Sequence, residues 1–295
     1  MAEAPNNALH EELTKAIAKG VPTAIRDSTI AIVGANAPAV RHLGSGTLVR
    51  VADEKFVVTA GHVIRTGSEW KATLGVSVGA SGNFIAMPES WILSSGVTNR
   101  SGKDTYDIAV CRLNEEQVAK LGGQTFLRLS DISFSEDVSH GYFLVSGFPQ
   151  IWSTACDQQA DTMKLRLLHL STSAYDGDTA GLDSYNRRYH ILLNAKHDDF
   201  VDESGENIRF RMRSGASARL PNDIQGMSGC SVWQIGDVRI PADHWHADQV
   251  KLIAVETSVY PNRSIIKATR WVAVTTLLYT AFPELRPVID LHASL

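Results

Sequence analysis

Cysteine is scarce: the 295 residues hold three, Cys111, Cys156 and Cys230, an odd number at wide spacings. That usage suits reduced, buried thiols and argues against a disulfide framework. An excess of basic residues is also missing, since 28 Lys and Arg against 32 Asp and Glu leave a formal net charge of -4. So slight an acidic balance offers no footprint for nucleic acid. No apolar run approaches the roughly 20 residues of a membrane span. Residues 1–20 alternate Ala and Leu with Glu, Lys and Asn instead of forming an apolar signal core. The expectation is a protein that begins near Met1 and works in the cytoplasm, where the sequons Asn99-Arg100-Ser101 and Asn262-Arg263-Ser264 never meet a glycosylating enzyme. Repeats and low-complexity tracts are absent as well. The composition, 44% hydrophobic and 20% charged, is that of a globular protein long enough for one large domain or two of moderate size.

What the chain has instead is a succession of short β-branched runs. Ile30-Ala31-Ile32-Val33, Gly46-Thr47-Leu48-Val49-Arg50-Val51 and Phe56-Val57-Val58-Thr59-Ala60 are separated by Gly, Asn and Asp turns, and further strands are predicted over residues 74–78 and 108–113. A second series begins at Tyr142-Phe143-Leu144-Val145 and resumes over residues 230–235 and 252–255. Short strands at close spacing, with few helical patterns between them, predict an all-β protein built as an antiparallel barrel or sandwich. Residues 8–19 read as a short amphipathic helix ended by Gly20, and residues 270–279 as a closing helix stopped near Pro283, although its valines and threonines weaken the helical pattern. The polar stretch 150–221 reads as hairpins and long loops, with strand-like pieces at 165–170 and 190–193.

Three residues carry candidate chemistry. His62, in Thr59-Ala60-Gly61-His62-Val63, follows an apolar strand directly, where a rigid scaffold can hold the ring at the mouth of a loop. Asp107 opens the strand Ile108-Ala109-Val110. Ser228 stands between glycines in Gly226-Met227-Ser228-Gly229. A serine hydroxyl is a poor nucleophile near neutral pH and needs a base, a group to orient that base, and donors for a developing oxyanion. A lone G-x-S-G is a weak signal, and His62 alone would more often be a structural histidine. Together, in the order His, Asp, Ser, they point to nucleophilic catalysis. Asp104 is the one nearby rival for the orienting role, but its flank Thr105-Tyr106 is not a strand.

These residues resemble the chymotrypsin/trypsin-like serine proteases, and among them the bacterial trypsin-like peptidases with HtrA-like catalytic domains. Thr59 to His62 is similar to the family's T-A-A/G-H, Tyr106-Asp107-Ile108-Ala109-Val110 to its D-I/L-A, Gly226 to Gly229 to its G-x-S-G, and Gly147-Phe148-Pro149 to the G-Y/F-P opening its second barrel. The resemblance covers roughly residues 29–280. It implies two antiparallel six-stranded β-barrels with short N-terminal and C-terminal helices. On this plan residues 1–28 form a helical arm, 29–130 the first barrel with His62 and Asp107, 131–285 the second barrel with Ser228 and a long insertion at 150–221, and 286–295 a C-terminal tail. By the same resemblance His62 is the general base, Asp107 orients it, Ser228 is the nucleophile, and the amides of Gly226 and Ser228 form the oxyanion hole. Two departures stand out. Met227 replaces the aspartate with which many relatives capture a freed N-terminus, so activation by N-terminal cleavage is not expected. Val63 follows His62 where secreted relatives carry a disulfide cysteine, in keeping with a reducing compartment.

The resemblance also implies a substrate pocket lined by Asn222, Asp223 and Gln225 before the nucleophile and by Glu256, Thr257 and Ser258 on a later edge strand. Asp223 and Glu256 could make it acidic and favour a basic residue before the scissile bond, or one or both could face solvent. Asp243-His244-Trp245-His246-Ala247-Asp248 has the look of a metal site, but a closed zinc site needs four ligands on a scaffold and no paired motif elsewhere supplies the rest. It reads as a hairpin cap, and neither metal nor other cofactor is expected. The expected activity is a cytosolic serine endopeptidase acting on a protein or peptide substrate. A regulatory protein partner could order the loop from Gly226 to Ser228, and a protein of this kind resembles the trypsin-like effectors encoded beside sensor proteins in bacterial defence systems. The competing expectation is a catalytically silent peptide-binding module on a protease fold. An esterase of the α/β-hydrolase type needs G-x-S-x-G, which Gly226 to Cys230 does not match.

Overall fold

The computed structural model describes residues 23–36, 39–77, 84–87, 90–95, 105–150, 154–155, 163–195, 200–202, 224–237, 239, 241, 244, 246 and 249–293. The helix read over residues 8–19 lies outside the described residues, as do Asp104, Cys156, Asn222, Asp223, Asp243 and Asp248. The chain forms two curled antiparallel sheets with a few short helices. The first sheet contains β1 (Thr29–Asn36), β2 (Ala39–Val51), β3 (Glu54–Ala60), β4 (Thr73–Ser77), β5 (Ile85–Ala86), β6 (Ile92–Leu93) and β7 (Ile108–Arg112), with β8 (Leu127–Arg128) added parallel to β2. Their order is β5-β4-β1-β2-β3-β7-β6.

The second sheet takes β9 (Gly141–Gly147) and the later strands; β10 (Thr154–Ala155) and β11 (Met163–Lys164) form a separate hairpin. With β12 (Leu168–Ser173), β13 (His190–Asn194), β14 (Phe200–Asp202), β15 (Ser231–Asp237), β16 (Lys251–Tyr260) and β17 (Ile265–Arg270), the order is β13-β17-β16-β15-β9-β12-β14. Parts of the polar stretch 150–221 join this sheet, as its strand-like pieces suggested: β12 pairs with β9 and β13 with β17. Counted with strands of two or three residues, the sheets hold eight and seven strands among the described residues.

The burial pattern explains why these segments settle as strands. In β9 all seven residues are buried, and in β1 the first six are. Alternation is lost because both faces are covered, so the apolar run alone marks the strand. One core lies inside each curl, around Leu48, Val57 and Ala109 in the first and around Val145, Leu170 and Ile266 in the second. A third core joins the two sheets, bringing Val58 and Val110 against Leu144, Trp233 and Val255.

Among the described residues are five short α-helices: α1 (Thr23–Asp27), α2 (Gly61–Glu69), α3 (Glu115–Lys120), α4 (Trp271–Ala281) and α5 (Arg286–Ala293). Helix α4 closes the joining core with Trp271, Val274 and Leu278. Its threonines fit because Thr275 and Thr276 donate back to the carbonyls of Trp271 and Val272, which satisfies their hydroxyls inside the helix. The segment read from sequence as a tail starts with α5, whose Ile289 is buried in the same core.

Candidate active site

Strand β3 runs directly into α2, and His62 is the second residue of that helix. Gly61 precedes it and lets Asp107 come close: a Cβ at Gly61 would stand 3.0 Å from Asp107 Oδ1, and the Gly61 amide donates to the Asp107 carbonyl at 2.7 Å. Asp107 sits just ahead of β7 with φ +53, a left-handed conformation that aspartate tolerates better than most residues. Its carboxylate meets His62 twice. The His62 amide donates to Oδ1 at 2.8 Å, and the ring Nδ1 lies 2.6 Å from Oδ2. Because a carboxylate can only accept, Nδ1 carries the proton and Nε2 of the neutral ring is the free base. Arg65, one turn along α2, also donates to Oδ1. The side chain of His62 is 41% exposed and that of Asp107 13%.

Ser228 lies on a loop that the second sheet supplies and the first sheet holds. Ser45 of β2 is the fastening point. Its amide donates to the Ser228 carbonyl at 2.8 Å, its hydroxyl donates to the Gly226 carbonyl at 3.0 Å, and the same hydroxyl accepts from the Phe148 amide at 2.8 Å. The Ser45 carbonyl in turn accepts from the Thr59 hydroxyl at 2.6 Å, at the end of the strand that leads to His62. Gly226 and Gly229 both adopt positive φ, +96 and +90. A Cβ at Gly229 would sit 2.1 Å from Thr59 Oγ1 and 2.3 Å from the Ser45 carbonyl. Glycine is thus required there both for backbone conformation and for space. At Gly226 a Cβ would collide with the His42 ring and the Gln150 amide, each 2.8 Å away.

The amides of this loop divide into two sets. Met227 donates to Ile224 at 3.0 Å, Gly229 to Glu256 at 2.8 Å and Cys230 to Met227 at 2.8 Å. Those of Gly226 and Ser228 have no partner among the described residues. Met227 and Ile224 are buried in the core of the second sheet, so the loop is shaped by packing.

Of the residues read from sequence as a substrate pocket, Gln225 is exposed, Ser258 half-buried and Thr257 buried. Thr257 stands 3.2 Å from Thr269, hydroxyl to hydroxyl. Glu256 is only 2% exposed, and its carboxyl shares its surroundings with His62, Asp107 and the Ser228 side chain. The Ser228 hydroxyl is near enough to favour the ionised carboxyl slightly, yet neither carboxyl oxygen has a partner at hydrogen-bonding geometry. His62, Asp107, Ser228 and Glu256 are thus brought together. In the stretch read as a hairpin cap, His244 and His246 are both exposed, and among the described residues no three His, Cys, Asp or Glu side chains are grouped to hold a metal ion.

Electrostatics distinguishes these groups. Burial pulls the His62 imidazole down, but the Asp107 hydrogen bond and charge, with the charge of Glu256 added, outweigh it and hold the ring above its ordinary value. Burial pushes Glu256 up to about 7. His42 is pulled down to about 4 by burial, against a hydrogen bond between Nε2 and the Gly44 carbonyl at 2.8 Å. Sequence reasoning missed Ser45, Arg65 and His42. The spacing of Arg65, three residues after His62 on a helix, was the one available signal.

No family model matches the chain, and no curated protein matches it. Solved structures do. A scabies mite inactivated protease paralogue, S-I1, superposes with a TM-score of 0.50 at 13% identity, covering 88% of this chain and 96% of that one. A Glu endopeptidase gives 0.49 at 15% identity over 87% and 90% of the two chains. A thermostable serine protease, AL20, from an extremophilic microorganism gives 0.42 at 13% over 88% and 98%. At such identities the likeness is one of fold, the double-β fold of chymotrypsin-like serine proteases; nothing in it singles out an HtrA-like subfamily.

Proposed function

We propose that the chain is a trypsin-like serine endopeptidase acting on protein or peptide substrates through an acyl-enzyme. The observation that carries this reading is the double hold of Asp107 on His62, amide and ring, in a site shared with Ser228. Asp107 keeps the Nδ1–H tautomer, so Nε2 is the atom that takes the Ser228 proton and later returns it to the leaving amine. The imidazolium formed between those steps is stabilised by the Asp107 carboxylate. The amides of Gly226 and Ser228, unengaged among the described residues, are the donors for the oxyanion. Losing one such donor typically removes about 3 kcal/mol of transition-state stabilisation.

The fold alone does not separate an active peptidase from a silent peptide-binding module, since one structural neighbour is an inactivated protease paralogue. The site favours activity: His, Asp and Ser are all present, and the histidine is held in the tautomer a base requires. A preference for basic residues rests on Asp223, because a carboxyl as buried as that of Glu256 is not open to a substrate side chain. A regulatory partner is the less favoured part of the reading, since Met227 and Ile224 already pack the loop into the core. A cytosolic setting is supported by the free, buried thiols of Cys111 and Cys230. No described helix is long and apolar enough to cross a membrane.

The test is labelling with a fluorophosphonate probe together with turnover on a peptide library. The wild type is expected to label and cleave, and Ser228→Ala to do neither while unfolding at nearly the same denaturant concentration, because a half-buried hydroxyl contributes little to packing. Labelling that survives in Ser228→Ala moves the nucleophile elsewhere, and a wild type that binds peptide without labelling establishes the silent module.

A further inference from the structure

A second carboxyl stands beside the three residues of the proposed mechanism and has no part in it. Glu256 lies in β16, and its backbone is tied to the nucleophile loop from both sides. The Gly229 amide donates to its carbonyl at 2.8 Å, and its own amide donates to the Cys230 carbonyl at 2.9 Å. The pairing of β16 with β17 shifts register just after it, between Glu256 and Ser258. The residue is 2% exposed and both carboxyl oxygens are buried without a hydrogen-bond partner. The titratable and charged groups facing it are His62 of α2, Asp107 ahead of β7, Lys267 of β17 and the Cys230 thiol, while Arg65 acts on the same site through His62. A carboxylate stripped of water and of hydrogen bonds is costly to keep ionised, so its charge must be met by a proton or by a positive neighbour. Within the proposed mechanism, the positive charge that appears and disappears is the one on His62.

We propose that Glu256 is a positioning residue of the site: a buried carboxyl that, with Asp107, holds the imidazolium of His62 and so sets the pH at which His62 becomes a free base. The role in turnover rests on the reading of His62 as general base. With Glu256 ionised, His62 gives up its proton at a higher pH than Asp107 alone sets. When Ser228 passes its proton to Nε2, the imidazolium lies in the field of two carboxylates, and the charged stage of the reaction is lowered relative to rest. Burial, which pushes Glu256 up to about 7, and its charge, one of the causes raising His62, agree with this arrangement.

Two measurements need no turnover. In wild-type protein carrying glutamate labelled with carbon-13 at Cδ, one glutamate should titrate near 7, and its signal should vanish in Glu256→Gln. The ring resonances of His62 should titrate at lower pH in Glu256→Gln and in Glu256→Ser than in the wild type. In assays of turnover, the acid limb of kcat/KM should move to lower pH in both variants while the alkaline plateau falls about 10- to 100-fold. A merely structural role would lower activity at every pH and leave the His62 midpoint in place. An unmoved His62 midpoint in the folded variants, or no wild-type glutamate titrating above the ordinary carboxylate range, overturns the proposal. Shifts without any turnover uphold the coupling of Glu256 to His62 and reject only the peptidase reading.

Discussion

Asp107 combines two demands that few side chains meet together. It must adopt φ +53, and it must present one oxygen to an amide and the other to an imidazole. Asparagine tolerates the same backbone conformation and has nearly the same shape, so Asp107→Asn separates the charge from the fold. Its amide nitrogen can donate where a carboxylate can only accept, which favours the tautomer with the proton on Nε2 and leaves Ser228 without a base. Asp107→Asn is therefore expected to fold like the wild type and to lose about 10⁴-fold in kcat, the scale known for this change in serine proteases. Steady-state kinetics and nitrogen-15 spectra of His62 check both halves. An unaltered kcat with the wild-type tautomer would remove Asp107 from the mechanism.

At the level of elements, the site depends on a seam. His62 and Asp107 belong to the first sheet and Ser228 to a loop of the second, and Ser45 of β2 makes polar contacts with the second-sheet side through its amide and hydroxyl. Ser45→Ala keeps the amide contact to Ser228 and removes the hydroxyl, leaving the Gly226 carbonyl and the Phe148 amide unpaired in a buried place. A loss of about 1–3 kcal/mol in urea unfolding is expected. Activity should fall by more than stability explains, because the Gly226 amide is displaced when its neighbouring carbonyl is released. A variant that loses stability but keeps its kcat would show that the loop is placed without Ser45. In sequence Ser45 is one polar residue within a glycine-flanked strand, with no motif around it. Only the pairing of β2 with β1 and β3, and the docking of the Ser228 loop across it, give it partners.

Over the whole molecule, buried titratable groups work against one another. Glu256 has its folded value, about 7, above its unfolded value of 4.5. Its contribution to stability is present below 4.5 and is lost as pH rises to about 7. His42 and His190 run the other way, with folded values of about 4 below the ordinary 6.5, chiefly because burial disfavours their charged forms. Their contribution is present above 6.5 and is lost as pH falls toward 4. The Glu256 trend is worth on the order of 3 kcal/mol and the two histidines together about twice that, so wild-type stability should rise with pH less steeply than the histidines alone would make it. Glu256→Gln removes the falling contribution alone. Urea unfolding should then show stability climbing more steeply from pH 4 to 6.5 in the variant than in the wild type, with the variant's relative gain largest at neutral pH and above. Parallel curves for the two proteins would refute the raised value of Glu256.

The strands, the all-β class and the two series of elements were legible in the sequence because β-branched runs between turn residues register locally, whatever the rest of the chain does. His62, Asp107 and Ser228 were legible as candidates for a similar reason: each sits in a short motif whose neighbours it needs for its own backbone shape. Glu256 was legible only as a charge near a pocket. Whether a carboxyl on β16 faces substrate, solvent or histidine depends on which side of the strand the Ser228 loop covers, and no local pattern encodes that. The same holds for Ser45, for the packing of His42 against Gly226 and for the burial of Ile289 in α5. Tertiary structure decided these, because burial and the partners it supplies or withholds are properties of contacts between segments far apart in the chain.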